Sequence, residues 1–443
     1  MVLPSSNKRR YVVIVNVCRW LLALVLMLSG FLKAVDPVGA AHKLQEYATA
    51  FSIDGVSGAW LLAVAVAQAA VEFLIGLYLF LGVYRRTVSF LALVAMSLFV
   101  PFSLYVWVSG AVSDCGCFGE SIAMSNGVTF AKNVVLLLLA IVAFAKRSLF
   151  VRNLSQKTRW VLVLFSWVYI FGMQAMAIMH LPLIDFGPYK VGKDLRAMVE
   201  YSPGEYEYVS VYRNDGEDAV FPSDTIPGDG WEFVRTESKL VKPGTEPEIS
   251  NFSIVDWEYD IEMADELLAD TGYVCIVPVE NIGTAAMTHI DKINDLYDYC
   301  AANNIRFCAV SPSDEDGVLL WVKRTGAEYP VYWADGAMLR SMIRPNPGLV
   351  LLKDGVIVGK WAAADIPAVE DLEKTPGLMP GIEDISYGDM RHWPLWVLVL
   401  LGVIFFLPLL DVTLVGIGNA RRKRLDKKKD AAQAVDEKTS DLN

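Results

Sequence analysis

Asp114-Cys115-Gly116-Cys117-Phe118-Gly119 forms a short loop between two apolar runs of the chain. Two thiols separated by one glycine close on each other only in a small, strained ring. Strained disulfides are labile and redox-active rather than structural. The pair also lies where an apolar run meets a polar connection, so it points to thiol chemistry at a membrane surface.

The surrounding sequence supports the membrane setting. The chain has 443 residues, long enough for more than one domain, and is 54% hydrophobic. The apolar residues gather into runs of bilayer length at 11–35, 59–83, 88–108, 128–145, 160–179 and 393–415. The first has the basic start of a signal peptide. It is too long and lacks a small-residue cleavage site, so it reads as a span.

Lysine and arginine set the expected orientation. Lys8, Arg9 and Arg10 precede the first span, and Arg85 and Arg86 join the second and third. Lys146, Arg147, Arg152, Lys157 and Arg159 join the fourth and fifth, and a basic run at 421–429 follows the sixth. If every run crosses, all four clusters face the cytoplasm together with both termini. The Cys115 loop and residues 181–391 then lie outside.

Charge divides the chain in the same place. Residues 181–391 hold 17 Lys+Arg against 38 Asp+Glu, a net of −21, whereas the whole chain is at −11. An acidic exterior argues against nucleic acid and against docking on anionic lipid. The expected partners are membrane lipid and an exported client protein or redox partner.

The outer segment has two patterns. Residues 185–242 read as short strands with turns, including a hairpin signal at Asn214-Asp215-Gly216, and Lys242-Pro243-Gly244 reads as a linker. Beyond it, strands are expected at 273–279, 305–310, 349–353 and 356–361. Helices are expected at 262–269, 285–303, 316–325 and 338–342, and Asp354-Gly355 is a two-residue hairpin signal. Alternating strands and helices closed by a hairpin imply a mixed sheet with helices on its faces.

Two resemblances follow from these stretches. Arg344-Pro345-Asn346-Pro347-Gly348 and the hairpin after it, through Gly359, resemble the proline-strand-turn-strand end of the thioredoxin fold, over residues 245–378. The resemblance implies that Pro347 is a cis-proline facing a partner groove. It departs from the family after Tyr273-Val274-Cys275-Ile276-Val277. There, Glu280-Asn281-Ile282-Gly283-Thr284-Ala285 stands in place of Cys-x-x-Cys. Ile282 and Ala285 thus occupy the groove without thiols, and this domain is expected to bind rather than exchange disulfides.

Residues 10–146 resemble the MauE/DoxX-like redox-associated membrane proteins. The likeness rests on the run from Ser29-Gly30-Phe31-Leu32-Lys33 to Asp36-Pro37, on Glu72 inside the second run, and on the Cys-Gly-Cys-Phe-Gly loop. It implies a role in disulfide formation or maturation of exported proteins, or in passing thiol electrons toward a membrane quinone. The fused arrangement resembles Bacteroidota envelope proteins, from which no assigned function carries over. The fold class expected is therefore a multi-domain membrane protein. A four-helix unit at 10–146 is joined by further spans at 159–180 and 393–415. A β-rich segment at 185–242 and an α/β thioredoxin-like domain at 245–378 lie outside, and a basic then polar tail at 420–443 lies inside.

Each candidate residue has a plainer reading beside its functional one. Cys115 and Cys117 are a redox pair, a static loop bridge or half of a zinc site. A bridge across one residue constrains little chain, and no nearby Cys or His completes four zinc ligands. Cys275, Cys300 and Cys308 read as buried, inert thiols, and Cys18 as packing. Glu72 is a carboxylate in mid-span, which faces the bundle interior with a partner. Lys33 supplies that charge in a structural pair, or Glu72 serves proton transfer. His180 is an interface residue or a contact for the redox chemistry, and Asp411 is interfacial. No metal cluster is expected, and a quinone is the one cofactor left open. Two functions remain: a membrane thiol-disulfide component whose Cys115 and Cys117 cycle, with Glu72 as proton carrier, or a non-enzymatic envelope scaffold.

Overall fold

The computed structural model describes residues 6–369 apart from short stretches at 54, 113–114, 121–123, 152–153, 157, 202–203, 215, 243, 245–246 and 251. It also describes 394–417 apart from 414–415. Asp114, the middle of the 242–244 linker, the end of the 245–378 domain and the 420–443 tail lie outside the described residues. The chain forms two compact units, Met1–Gly187 with Asp384–Asn443, and Pro188–Glu383.

The first unit contains α1 (Ser6–Val35), α2 (Pro37–Ala50), α3 (Gly58–Leu81) and α4 (Arg85–Ser109). The short strand β1 (Cys117–Glu120), α5 (Asn126–Ala145) and α6 (Arg159–Met179) follow. A last helix at Pro394–Thr413 completes it. Six of these helices are long and apolar enough to cross a membrane, so the chain is a multi-pass membrane protein. Helix α2 is not a span and was not expected from hydropathy. Asp36 caps it, accepting a hydrogen bond from the Gly39 N–H at 2.8 Å, and Pro37 fits its first turn.

Helices α1 and α3 pack closely because each presents a glycine to the other's backbone. A Cβ at Gly30 would fall on the backbone of Phe73, and one at Gly76 on that of Met27. Without a hydrophobic drive between helices in lipid, such close approach is what holds them. Asp411 is buried rather than interfacial: its carboxylate accepts from the Ser155 N–H and Oγ, each at 2.6 Å, and from Thr158 Oγ1. This ties the last helix to the chain entering α6.

The second unit runs α7 (Leu195–Val199), β2 (Glu205–Asn214), β3 (Glu217–Pro222), β4 (Glu232–Lys242), β5 (Ile254–Asp256), β6 (Ile261–Glu262), α8 (Ala264–Ala269), β7 (Tyr273–Pro278) and α9 (Ile290–Ala302). It continues with β8 (Arg306–Ser311), α10 (Glu315–Thr325), β9 (Val331–Ala334), α11 (Gly336–Met342), β10 (Gly348–Lys353) and β11 (Val356–Ala362). Strands β3-β2-β4 form a separate antiparallel sheet. The other seven form one mixed sheet in the order β11-β10-β7-β8-β9-β5-β6, with β7, β8 and β9 parallel. Asp354 (φ 51°) and Gly355 (φ 75°) make the tight β10–β11 turn. The Asn346–Pro347 peptide is cis.

The helix expected to begin at 285 begins at Ile290. Residues 284–286 are held in loop form; the Ala286 N–H donates to the Asn346 carbonyl at 2.9 Å, and the Thr284 N–H to that of Asn281 at 3.2 Å. Ile282 and Ala285, expected to face a groove, are instead buried in the core with Val277, Ile293 and Trp321. Apolar side chains there gain more from the core than from an open surface.

Candidate functional site

The loop after α4 carries Cys115 and Cys117 back toward the helices. Gly116 between them has φ +51°, a left-handed conformation that residues with a side chain rarely adopt, and a Cβ there would meet the Lys43 side chain at 3.4 Å. The Gly119 N–H donates to the Gly116 carbonyl at 2.9 Å, closing the turn. Tyr47, on α2, donates to the Cys115 carbonyl at 2.5 Å. Ser29, on α1, has the Cys117 carbonyl as an acceptor at 2.6 Å. Two helices thus fix the backbone on either side of the glycine.

Both thiols are free, with their sulfurs 3.8 Å apart in hydrogen-bonding contact. Cys115 is buried and Cys117 half-buried. The pair shares one negative charge unevenly. The hydrogen bond with Cys115 holds the Cys117 thiol below its ordinary value, helped by the Lys132 and Lys33 ammonium groups and opposed by burial and Glu72. The same hydrogen bond, with burial, pushes Cys115 far up. The first proton to leave therefore leaves its charge on Cys117.

Glu72 and Lys33 are brought together one layer deeper. Lys33 Nζ lies 2.7 Å and 2.9 Å from the two Glu72 oxygens, and both side chains are buried. Gln68, one helical turn before Glu72, donates to it at 2.9 Å. Ser29 Oγ accepts from Lys33 at 3.1 Å, and Glu72 Oε2 lies 2.7 Å from it as a second acceptor for the Ser29 hydroxyl. A chain of polar contacts therefore runs from Glu72 through Ser29 to the Cys117 backbone.

Thiols and polar chain border a cavity of about 440 Å3 enclosed by α1 to α5. Lys33, Lys43, Lys132, Gln68, Asn133 and the two cysteines line it, with Met96, Phe99, Phe102 and Leu136 among its apolar walls. Residues 11–146 match the family of methylamine utilisation protein MauE. That stretch contains every residue lining the cavity. No curated protein and no solved structure matches the chain. The cavity and its thiols thus belong to the MauE-like part of the molecule.

The remaining candidates stand apart from this cavity. His180 ends α6, its N–H donating to the Met176 carbonyl at 3.0 Å, and it does not line the cavity. Pro347 belongs to the second unit, where the thiols of Cys275, Cys300 and Cys308 are all buried. Cys275 and Cys300 lie 3.7 Å apart. Their hydrogen bond and burial raise Cys275 well above the usual thiol range, and burial pushes Cys308 up to about 12.

Several site residues carry little sequence signal. Lys132 is a cation within an apolar run, and the argument that singles out Glu72 applies to it equally. Gln68 has the i, i+4 spacing to Glu72. Tyr47 lies on the unexpected helix α2, and Asn133 has no local signature at all.

Proposed function

We propose that Cys115 and Cys117 cycle between dithiol and disulfide in support of the maturation of exported proteins. The observation that carries this reading is the pair of free thiols 3.8 Å apart on the wall of a cavity, one of them biased toward the thiolate by its hydrogen bond with the other and by nearby ammonium groups. A thiolate is the nucleophile of disulfide exchange, and its neighbour is placed to resolve the mixed disulfide that forms. In this reading Cys117 attacks a disulfide sulfur of the client, releasing one client thiolate. Cys115 then attacks Cys117, releasing the second, and the reverse sequence oxidises a client dithiol. Glu72, joined to the site through Ser29, is the proposed proton-linked group, with Lys33 as its counter-ion.

The proposal extends to placement. The protein sits in a bacterial inner membrane with both termini in the cytoplasm and the Cys115 loop and residues 181–391 in the periplasm. The second unit, whose mixed sheet fits a thioredoxin-like domain, holds the client or redox partner without reacting. A second reading is favoured by the burial of all three thiols there. In it the chain is an envelope scaffold and Cys115–Cys117 only a loop bridge.

Trapping separates the two. Membranes carrying Cys115→Ala or Cys117→Ala are run without and then with reductant. Cys115→Ala, which keeps the more acidic thiol and lacks its resolving partner, is expected to hold a client in an adduct that disappears on reduction. If neither variant traps a partner and both support normal maturation of exported proteins, the redox reading fails and the scaffold reading stands.

A further inference from the structure

The chain carries a second pair of neighbouring thiols, which differs from the first in access and in the length of chain it spans. Cys275 on β7 and Cys300 on α9 have their sulfurs 3.7 Å apart, each the hydrogen-bond partner of the other. Both are fully buried, in one core cluster with Val277, Ile293, Leu296 and Trp321. Cys115 and Cys117, by contrast, line a cavity. The sealed pair is 25 residues apart in sequence. A bond between Cys275 and Cys300 therefore takes more freedom from the unfolded chain than one across Gly116 does.

The sheet decides which of the three cysteines in this unit meet. Strands β7 and β8 run parallel, with Cys275 opposite Phe307 and Ile276 opposite Cys308. Successive residues of a strand point to opposite faces, and opposed residues share a face. Cys275 thus stands on the face that holds Phe307 and Ala309, and Cys308 stands on the other. Helix α9 brings Cys300 to the first face, one and two turns beyond Leu296 and Ile293. From 3.7 Å the two sulfurs close by about 1.7 Å to reach a disulfide bond length, a displacement within the reach of rotation about the two Cα–Cβ bonds.

We propose that Cys275 and Cys300 form a permanent disulfide in the mature protein, stapling β7 to α9, while Cys308 stays a thiol. The step rests on the outer placement of residues 181–391 and is independent of cycling at Cys115 and Cys117. Two S–H bonds break and one S–S bond forms. The two electrons and two protons pass to a disulfide of the oxidising compartment, which leaves as two thiols. The exchange takes place while the core is still open. Once it closes, the hydrogen bond and burial hold Cys275 well above the usual thiol range, and no thiolate is there to react. The same burial shields the finished bond from reductant. One chain then holds one pair built to exchange and another built to persist.

The test uses the full-length protein, taken from membranes without reductant and denatured in N-ethylmaleimide. It is then reduced, treated with iodoacetamide and mapped by peptide mass spectrometry. Thiols free at the start carry the maleimide, and those released from disulfides carry the acetamide. The expected result is acetamide on Cys275 and Cys300 and maleimide on Cys308, with the same pattern after dithiothreitol treatment of the folded protein. Cys308→Ala should keep the bridge, and Cys300→Ala should leave Cys275 carrying maleimide. Placement is read separately with Ile226→Cys, at a position 85% exposed, and a membrane-impermeant maleimide on spheroplasts. Labelling there, with maleimide on both Cys275 and Cys300, overturns the staple and leaves the placement intact. Labelling only after lysis, with both thiols free, overturns the two together. A bridge from either cysteine to Cys308 overturns the pairing, and reduction of the bond in the folded protein overturns its permanence.

Discussion

At the scale of single residues, the chemistry depends on where one negative charge rests. Cys115 and Cys117 are chemically alike and 3.8 Å apart, yet they differ chiefly because the hydrogen bond between them lowers Cys117 and raises Cys115, and the Lys132 and Lys33 ammonium groups lower Cys117 against the opposing effect of burial. A free cysteine loses its proton near pH 8.5. Cys117 is lowered, so its thiolate is present below that pH and is lost only as pH falls through its own lower value. Iodoacetamide alkylation of Cys117, measured from pH 5 to 10, should reach half its plateau below the ordinary thiol midpoint. Removing the ammonium in Lys132→Met should move that midpoint up by about one unit, and Lys132→Arg should restore it, since a charge within a few ångströms shifts a pKa by that order. A packing role for Lys132 would leave the profile of Lys132→Met where it was. This readout needs no electron acceptor and reports the thiol alone.

At the scale of elements, the cavity exists because α1 and α3 approach closely enough to fix one wall while α2, α4 and α5 stand off to form the others. Gly30 and Gly76 make that approach, each against the partner's backbone rather than a movable side chain. Gly76→Ala should therefore lower stability by about 1–3 kcal/mol, the cost of overpacking, read as a fall in the thermal midpoint of the detergent-solubilised protein. Gly402→Ala, on the last helix with open space around it, should leave that midpoint unchanged. The spans themselves were legible because a uniform apolar run of bilayer length admits few other readings. The 11–35 run ends at Val35, as α1 does, and the 128–145 run ends at Ala145, as α5 does. Helix α2 was not legible: its 14 residues are too short and too polar for a span, although Asp36 and Pro37 cap and open it. Strands β7, β8, β10 and β11 carried period and turn signals, whereas β5, β6 and β9 are two to four residues long, and β5 pairs with β9 far along the chain. Cys115, Cys117, Glu72 and Lys33 stood out by type. The donors Lys132 and Asn133 acquire their setting only when five helices and a loop converge on one cavity.

At the scale of the whole molecule, charge separates what hydropathy only segments. Residues 181–391 carry −21 while the remainder carries about +10, and the positive residues of the remainder gather at alternate ends of the apolar runs. A lysine or arginine beside a span resists translocation far more than an aspartate or glutamate does, so the proposed orientation rests on these clusters and not on the net charge. Reversing it would require four basic clusters to cross the membrane, whereas the long acidic segment crosses readily because translocated domains are largely indifferent to charge. The proposed thiol cycle depends on this orientation, since disulfides persist on the oxidising side and are reduced in the cytosol. An alkaline phosphatase reporter, active only after export, should be inactive when fused after Lys146 and active when fused after Val112 or Pro188. Activity after Lys146 would place the Cys115 loop in the cytosol. The thiol pair would then be held reduced by the cell's own thiol pool, and a cycle that oxidises exported proteins could not run through it.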